Sequence, residues 1–360
     1  VEIAALQHFS SHPSTATKEN LTDGDRSTGG RTNSVPGESL VIDLGSPKLI
    51  NSIFLAALDG EDQASNRFAL EYSADGVTSN LLKSDLSGSF IKNGRELNFD
   101  EITARYIRLR VLEVGRNIAI SEFSARLRTA GVLNSIRSSL TVDMGEGTSD
   151  RLWLDDAGDN MPNVATLTNG NVAGLGMGDE PDEITAISFG PVRTPGISFS
   201  NVSEVDLYLA GGTTVNVLGT SSESTETYIH SGTTGTTTVN IHNDERKLDG
   251  IVGPIKVLGT NTGQSIVNVD DRGASIKHSS PGTLERTEIS GLGMTGRIHF
   301  DEQISKLNLK LGPAADGFEV RGISVDTTID SNDRLVVTGN LADITNELLV
   351  RGNELASKLE

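Results

Sequence analysis

One ten-residue pattern returns three times, and it constrains this chain more than any other feature. Leu133–Val142 reads LNSIRSSLTV, Leu248–Val257 reads LDGIVGPIKV, and Leu341–Val350 reads LADITNELLV. Each has a Leu, an Ile three residues on, a Leu or Ile four beyond that, and a Val two further. The first two motifs lie 115 residues apart (133 to 248) and the last two 93 (248 to 341). Around the first two the likeness continues. Leu154-Asp155-Asp156-Ala157-Gly158 answers Val269-Asp270-Asp271-Arg272-Gly273, and Gly174-Leu175-Gly176-Met177 answers Gly291-Leu292-Gly293-Met294. Spacing preserved point by point marks a duplicated structural unit, which decides the fold before any single residue does. The third copy has the ten-residue motif and little after it, so the chain reads as part of a longer array or as one ending in a stub.

From 131 onward the strands are short and dense: 205–209, 215–218, 227–230, 237–241, 255–258, 266–269, 298–300, 307–311, 318–320, 323–325 and 335–337. They alternate apolar with polar, so that Val205, Leu207 and Leu209 point inward and Asp206 and Tyr208 outward. Starts about 10 to 13 residues apart suit a parallel β-helix-like solenoid whose coils bury their apolar side only against neighbours. The alternative is a string of separate β-sandwich domains. Register with the two earlier motifs makes the first half of the tail 341–359 a strand, although its leucines suit a helix by propensity.

Composition agrees and excludes. Thirty-nine glycines and 4% aromatics fit a turn-rich all-β chain. A formal charge of −19 opposes nucleic acid and anionic membrane surfaces, and suits a self-repelling surface or one that collects divalent cations. With no cysteine there is no disulfide scaffold and no thiolate zinc site. No apolar run approaches the roughly 20 residues of a membrane span. The chain opens at Val1 with neither a Met nor a signal peptide, which points to removal by processing or by truncation.

Residues 1–128 form a first domain, joined by a short junction to the repetitive region 131–360. The expected strands are 40–44, 50–56, 67–73, 106–112 and 118–127, separated by Gly, Pro and Asp turns. The order TKENLTDGDRST at 17–28, LVIDLGSPKLINSI at 40–53, EYSADG at 71–76, ARYIRL at 104–109 and ISEF at 120–123 resembles the discoidin, or coagulation-factor type C, domain. Carbohydrate-binding modules of the galactose-binding jelly-roll type share that pattern. The resemblance implies a jelly-roll β-sandwich with a structural calcium held by Asp23, Asp25, Thr28 and Glu122, a donor set of the hard oxygens that calcium takes. It also implies a glycan site in loops at one end, for which Arg31, Asn66, Arg67, Asn93 and Arg95 are the hydrogen-bonding candidates. The Trp that the family often carries after the loop Thr is missing, since Gly29-Gly30-Arg31 follows Thr28. Without a stacking ring a sugar loses its main apolar contact. The region after 131 resembles degenerate β-strand repeats of very large bacterial surface proteins, which implies an extracellular setting and little chemistry.

No P-loop, dinucleotide glycine motif, HExxH or nucleophile elbow occurs. His230 and His242 each end a strand and read as solvent-facing. Asp155-Asp156 and Asp270-Asp271 recur at one repeat position, which suits residues capping backbone amides better than an active site. Asn20 and Asn201 lie in glycosylation sequons. The expectation is a non-enzymatic, secreted or cell-surface protein, structural or adhesive. It would associate head-to-tail with copies of itself through Leu341, Ile344, Leu348 and Val350, without membrane insertion. The alternative is a polysaccharide lyase or hydrolase with a carbohydrate-binding module, its nearest candidate groups being Asp301, Glu302, Lys306, Lys310 and Arg321.

Overall fold

The computed structural model describes residues 5–8, 19–31, 36–58, 67–87, 91–92, 94–112, 119–127, 130–146, 150–178, 196–222, 225–275, 278, 281–313, 317–331, 334–338 and 343–352. The chain divides into two compact units, Val1–Thr129 and Ala130–Glu360. Apart from the 3₁₀ turn Glu19–Leu21, every regular element among the described residues is a strand.

The first unit is all-β and jelly-roll-like. Its strands are β1 (Ala5–His8), β2 (Gly30–Arg31), β3 (Ser39–Ala57), β4 (Arg67–Ser73), β5 (Asn80–Ser87), β6 (Arg95–Val111) and β7 (Ala119–Arg126). They pair antiparallel in the order β2-β7-β3-β6-β4-β5, with β1 on β3. The runs 40–44 and 50–56, expected as two strands, are one strand of 19 residues. Gly45, at φ +82°, and a register shift between Asp43 and Lys48 bend β3 while it stays paired to β6, so the glycine turn acts as a bulge. Leu40, Ile42, Ile53, Leu55, Phe68, Leu70, Ile107 and Phe123 fill the core.

Among the described residues, the second unit holds nineteen strands in two sheets. They are β8 (Leu140–Asp143), β9 (Arg151–Asp155), β10 (Val164–Thr168), β11 (Asn171–Gly174), β12 (Gly196–Ser200), β13 (Glu204–Tyr208), β14 (Thr214–Val217), β15 (Glu226–His230) and β16 (Thr236–Ile241). Then follow β17 (Ile255–Leu258), β18 (Gln264–Asp271), β19 (Thr283–Glu285), β20 (Glu288–Ser290), β21 (Ile298–Phe300), β22 (Lys306–Leu311), β23 (Phe318–Val320), β24 (Thr327–Ser331), β25 (Leu335–Val337) and β26 (Leu348–Gly352). Consecutive strands change sheet, and neighbours within a sheet run parallel, except in two antiparallel excursions, β10-β11-β12 and β19-β20-β21. The run 323–325 is not a strand. Ile323 makes a single parallel bridge to Ile344.

This topology explains the threefold motif. Each copy ends in a strand that starts seven residues after its Leu: β8, β17 and β26. β17 is the ninth strand after β8 and β26 the ninth after β17, with the excursion at the same place in both copies. The chain crosses between sheets seven times per copy, an odd number, so β8 and β26 lie in the ten-stranded sheet and β17 in the nine-stranded one. Most of the shortfall from 115 to 93 residues precedes the third strand of the excursion. From β8 to β12 takes 56 residues (140 to 196), and from β17 to β21 takes 43 (255 to 298). Both sheets run unbroken through both copies, since β15 pairs with β17 and β16 with β18. Val205, Val215, Ile229, Val239, Val257, Val267 and Leu307 meet in one continuous core.

Candidate functional site

In the first unit the turn 23–28 is a tight oxygen cluster. Asp23 Oδ2 accepts from the Thr28 hydroxyl at 2.8 Å, and Asp23 Oδ1 accepts from the Asp25 amide at 2.8 Å. Asp25 Oδ1 accepts from the Ser27 amide and hydroxyl at 2.9 and 2.7 Å, bonds that hold its carboxyl below the usual range. Gly24, at φ +76°, lets the chain turn. Glu122 reaches the cluster from β7. Burial pushes its carboxyl up, the charges of Asp23 and Asp25 push further, and the Gly24 amide opposes them. Its Oε1 is buried without a hydrogen-bond partner. Hydrogen bonds thus join Asp23, Asp25 and Thr28, and Glu122 faces Asp23 and the Gly24 amide. Crowded carboxylates, a hydroxyl and an orphaned buried oxygen suit a hard cation. Among the described residues, no three Asp, Glu or His side chains stand at ligand spacing around one point.

The expected glycan residues do not converge. Arg31 lies on β2 opposite Ala119, and Arg67 opens β4. Arg95 is only 2% exposed at the start of β6, so it is no surface donor; the glycine before it, at φ +80°, turns the strand inward against Phe54. Asn66 and Asn93 lie outside the described residues, as does Leu341.

Residues 5–123 match the family model of the F5/8 type C domain. The N-terminal unit carries an F5/8 type C domain. Solved structures with this likeness include the CBM32 of AlyQ in complex with 4,5-unsaturated mannuronic acid: 25% identity, 34% of this chain, 94% of that one, TM-score 0.29. A CBM32 from Clostridium perfringens in complex with GalNAc-β-1,3-galactose is 21% identical over 34% of this chain and 93% of its own, TM-score 0.29. A GH29 fucosidase of Ruminococcus gnavus is 25% identical over 31% of this chain but only 22% of its own, TM-score 0.27. No curated protein matches the chain.

Outside the F5/8 type C domain the paired acids sit where a repeat needs them. Asp155 Oδ2 accepts from the Gly131 amide at 2.9 Å, and Asp156 Oδ1 from the Leu133 amide at 3.0 Å. Asp156 thus ties the first ten-residue motif to the strand 23 residues on. Asp271 stands 23 residues after Leu248 and meets His278 Nε2 at 2.8 Å. Burial pushes Asp156 up to about 6 and Asp271 upward too, opposed in each case by a hydrogen bond from the backbone amide of the motif's leading Leu.

The outward face of the nine-stranded sheet differs from expectation. Asp206 and Tyr208, read as solvent-facing, are buried, and so is His230. The rings of Trp153, Tyr208 and His230 stack on adjacent strands, 4.8 and 3.9 Å apart, and His230 Nε2 meets Asp206 Oδ1 at 2.9 Å. Register alignment lets aromatic neighbours cover one another, which period-two reasoning cannot foresee. The same face carries a row across four strands, Tyr228, Lys256, His299 and Glu288. Lys256 Nζ donates to the Tyr228 hydroxyl at 2.9 Å, and His299 Nδ1 lies 3.3 Å from Glu288. Burial pushes the His299 imidazole down although Glu288 opposes it. His242 lies in the loop after β16, in the other sheet, and is not brought to His230. The lyase candidates also scatter: Glu302 pairs with Arg286, Arg321 with Glu285 and Glu319, and Asp301 accepts from the Gly259 amide.

Proposed function

We propose that this is an extracellular surface protein that holds glycans through its F5/8 type C domain and extends or associates through a β-solenoid of duplicated coils. The observation that carries the reading is the return of the strand that ends each ten-residue motif. After two nine-strand copies β26 pairs parallel with β24 as any internal coil would, and no further strand covers it among the described residues. A stack that grows by repeating one unit adds length, not a pocket. Ile344, Leu348 and Val350 are half-buried against the core, while Leu349 faces out. A second copy in head-to-tail contact would pair with this strand. Light scattering and electron microscopy across protein concentration, with and without calcium, test this. A chain that stays monomeric throughout overturns it.

A calcium ion at Asp23, Asp25, Thr28 and Glu122 belongs to the proposal. Bound there it would offset the repulsion among Asp23, Asp25 and Glu122 and brace the turn against β7. No described helix is long and apolar enough to cross a membrane.

One observation favours a second reading, polysaccharide cleavage. The His299 row sets an imidazole whose pKa burial lowers beside Lys256, an ammonium that Glu226 faces at 3.4 Å, the base-and-cation pairing that elimination from a uronate chain requires. Release of unsaturated oligosaccharides from acidic polysaccharides, abolished by His299→Ala, would establish it; no release from a broad panel removes it.

A further inference from the structure

We infer that the F5/8 type C domain has a saccharide pocket, at the end of β4 opposite Arg67, that takes one neutral pyranose ring. The inference rests on the glycan-holding reading and gives it a location. Here Val41, Tyr72, Ser73, Val77, Tyr106 and Arg108 line a cavity of about 200 Å³. Drug-sized ligands fill about 300–1,000 Å³, so this one has room for a single ring. A strand of seven residues puts it about 20 Å from Arg67.

The walls are held before anything binds. Asp75 accepts from the amides of Val77 and Thr78, each at 2.8 Å, and from the Ser73 hydroxyl at 3.0 Å. These bonds fix the turn 73–79. Gly76, at φ +78°, lies so close to the Tyr106 ring that a Cβ would stand 3.0 Å from Cε2. Arg105 covers that ring at 4.8 Å and is itself anchored on Asp43 at 3.0 and 3.2 Å. Val41 forms an apolar floor, and Val77, 89% exposed, an apolar lip.

This lining supplies what the other end lacked. Two phenol rings and two valines offer an apolar surface to a pyranose face, while the phenol hydroxyls and Arg108 offer hydrogen bonds to its rim. Charge selects within that class. Arg105 is matched by Asp43, Arg110 and Arg108 face Glu71 at 2.7 and 3.8 Å, and Asp75 adds a negative group at the lip. Among the described residues of the lining, Arg108 and Asp75 balance, so no net positive charge draws a uronate.

Titration calorimetry and saturation-transfer NMR of the full chain with methyl glucoside, galactoside, mannoside and galacturonide test the inference. Val77→Trp fills the cavity from an exposed position, and Tyr72→Ala removes a wall; thermal melts check that both variants fold. Each should weaken a neutral pyranoside about tenfold or more. Loss in Arg67→Ala with retention in Tyr72→Ala and Val77→Trp overturns the pocket and leaves the glycan-holding reading standing, as does binding of the galacturonide alone. Binding of none of the four overturns both.

Discussion

At the residue scale, Glu122 and Asp156 each give a pH-dependent prediction. Glu122 is raised above the ordinary range, so the cation-free fold binds its proton more tightly than the unfolded chain does. Stability from this group is present in acid and lost as pH climbs past the raised value. Calcium would restore it. Chelation should therefore lower the melting temperature near neutral pH and have little effect below about pH 4, where the carboxyl is protonated. Asp23→Ala should abolish the response in scanning fluorimetry; identical melts with and without chelator at neutral pH would show a plain turn. Asp156 behaves likewise, with a sharper window. Its carboxyl rises from 3.8 to about 6, worth roughly 3 kcal/mol lost between about pH 4 and about pH 7. Asp156→Asn should flatten that part of the stability–pH curve in urea unfolding. A third residue-scale feature is an amide ladder on the outward face of the ten-stranded sheet. Asn240 donates to Asn216, Asn268 to Asn240 and Asn308 to Asn268, at 2.9, 2.8 and 2.9 Å. Asn268→Ala removes two of these bonds and should cost about 1–3 kcal/mol in the same measurement; an unchanged midpoint would mean water replaces them freely.

At the element scale, the repeated GLG turn is the least replaceable piece. Gly174, Leu175 and Gly176 all have positive φ, and so do Gly291, Leu292 and Gly293. A left-handed backbone at a leucine is strained, and it persists because both leucines are fully buried. Met177 and Met294 close the turns by donating to Gly174 O and Gly291 O at 3.1 and 3.0 Å. A Cβ at Gly291 would meet Pro281 O at 2.6 Å, in a conformation that already disfavours side chains. Gly291→Ala should destabilise by about 3 kcal/mol, read as a drop in the urea midpoint of the second unit. Gly317→Ala, equally left-handed but with open space around it, should cost less; equal costs would mean that φ, not the close approach, sets the penalty.

At the scale of the whole molecule, the proposed end-to-end contact meets a strongly acidic surface. A charge of −19 opposes side-by-side clumping and leaves end contacts available. Salt or divalent ions should therefore promote growth, because screening weakens the long-range repulsion while apolar end contacts persist. Leu349→Lys adds charge at the exposed position of β26 and should hold the chain monomeric in light scattering. Assemblies of unchanged size in that variant would place the contact elsewhere.

What the sequence determined was the repeat and its strands. Leu, Ile and Val spaced as in 133–142, 248–257 and 341–350 returned as strands at β8, β17 and β26, buried on one side in β17, half-buried in β26 and exposed at Leu140 of β8. The turn at Asp23, Asp25 and Thr28 was legible because family spacing reports on chain reversal, and the structure closes it with the Thr28 hydroxyl on Asp23. The paired acids were legible as amide caps, but the amides of Gly131 and Leu133 that Asp155 and Asp156 reach lie 24 and 23 residues away and only the fold brings them there. Only the tertiary structure decided which residues become neighbours across strands. The stack of Trp153, Tyr208 and His230, the row from Tyr228 to Glu288 and the asparagine ladder join residues about 10 to 55 positions apart, through a register set by packing. The pocket beside Tyr72 and Tyr106 was hidden for that reason too. A Tyr on one strand reveals nothing of the glycine turn that clamps the ring on the next.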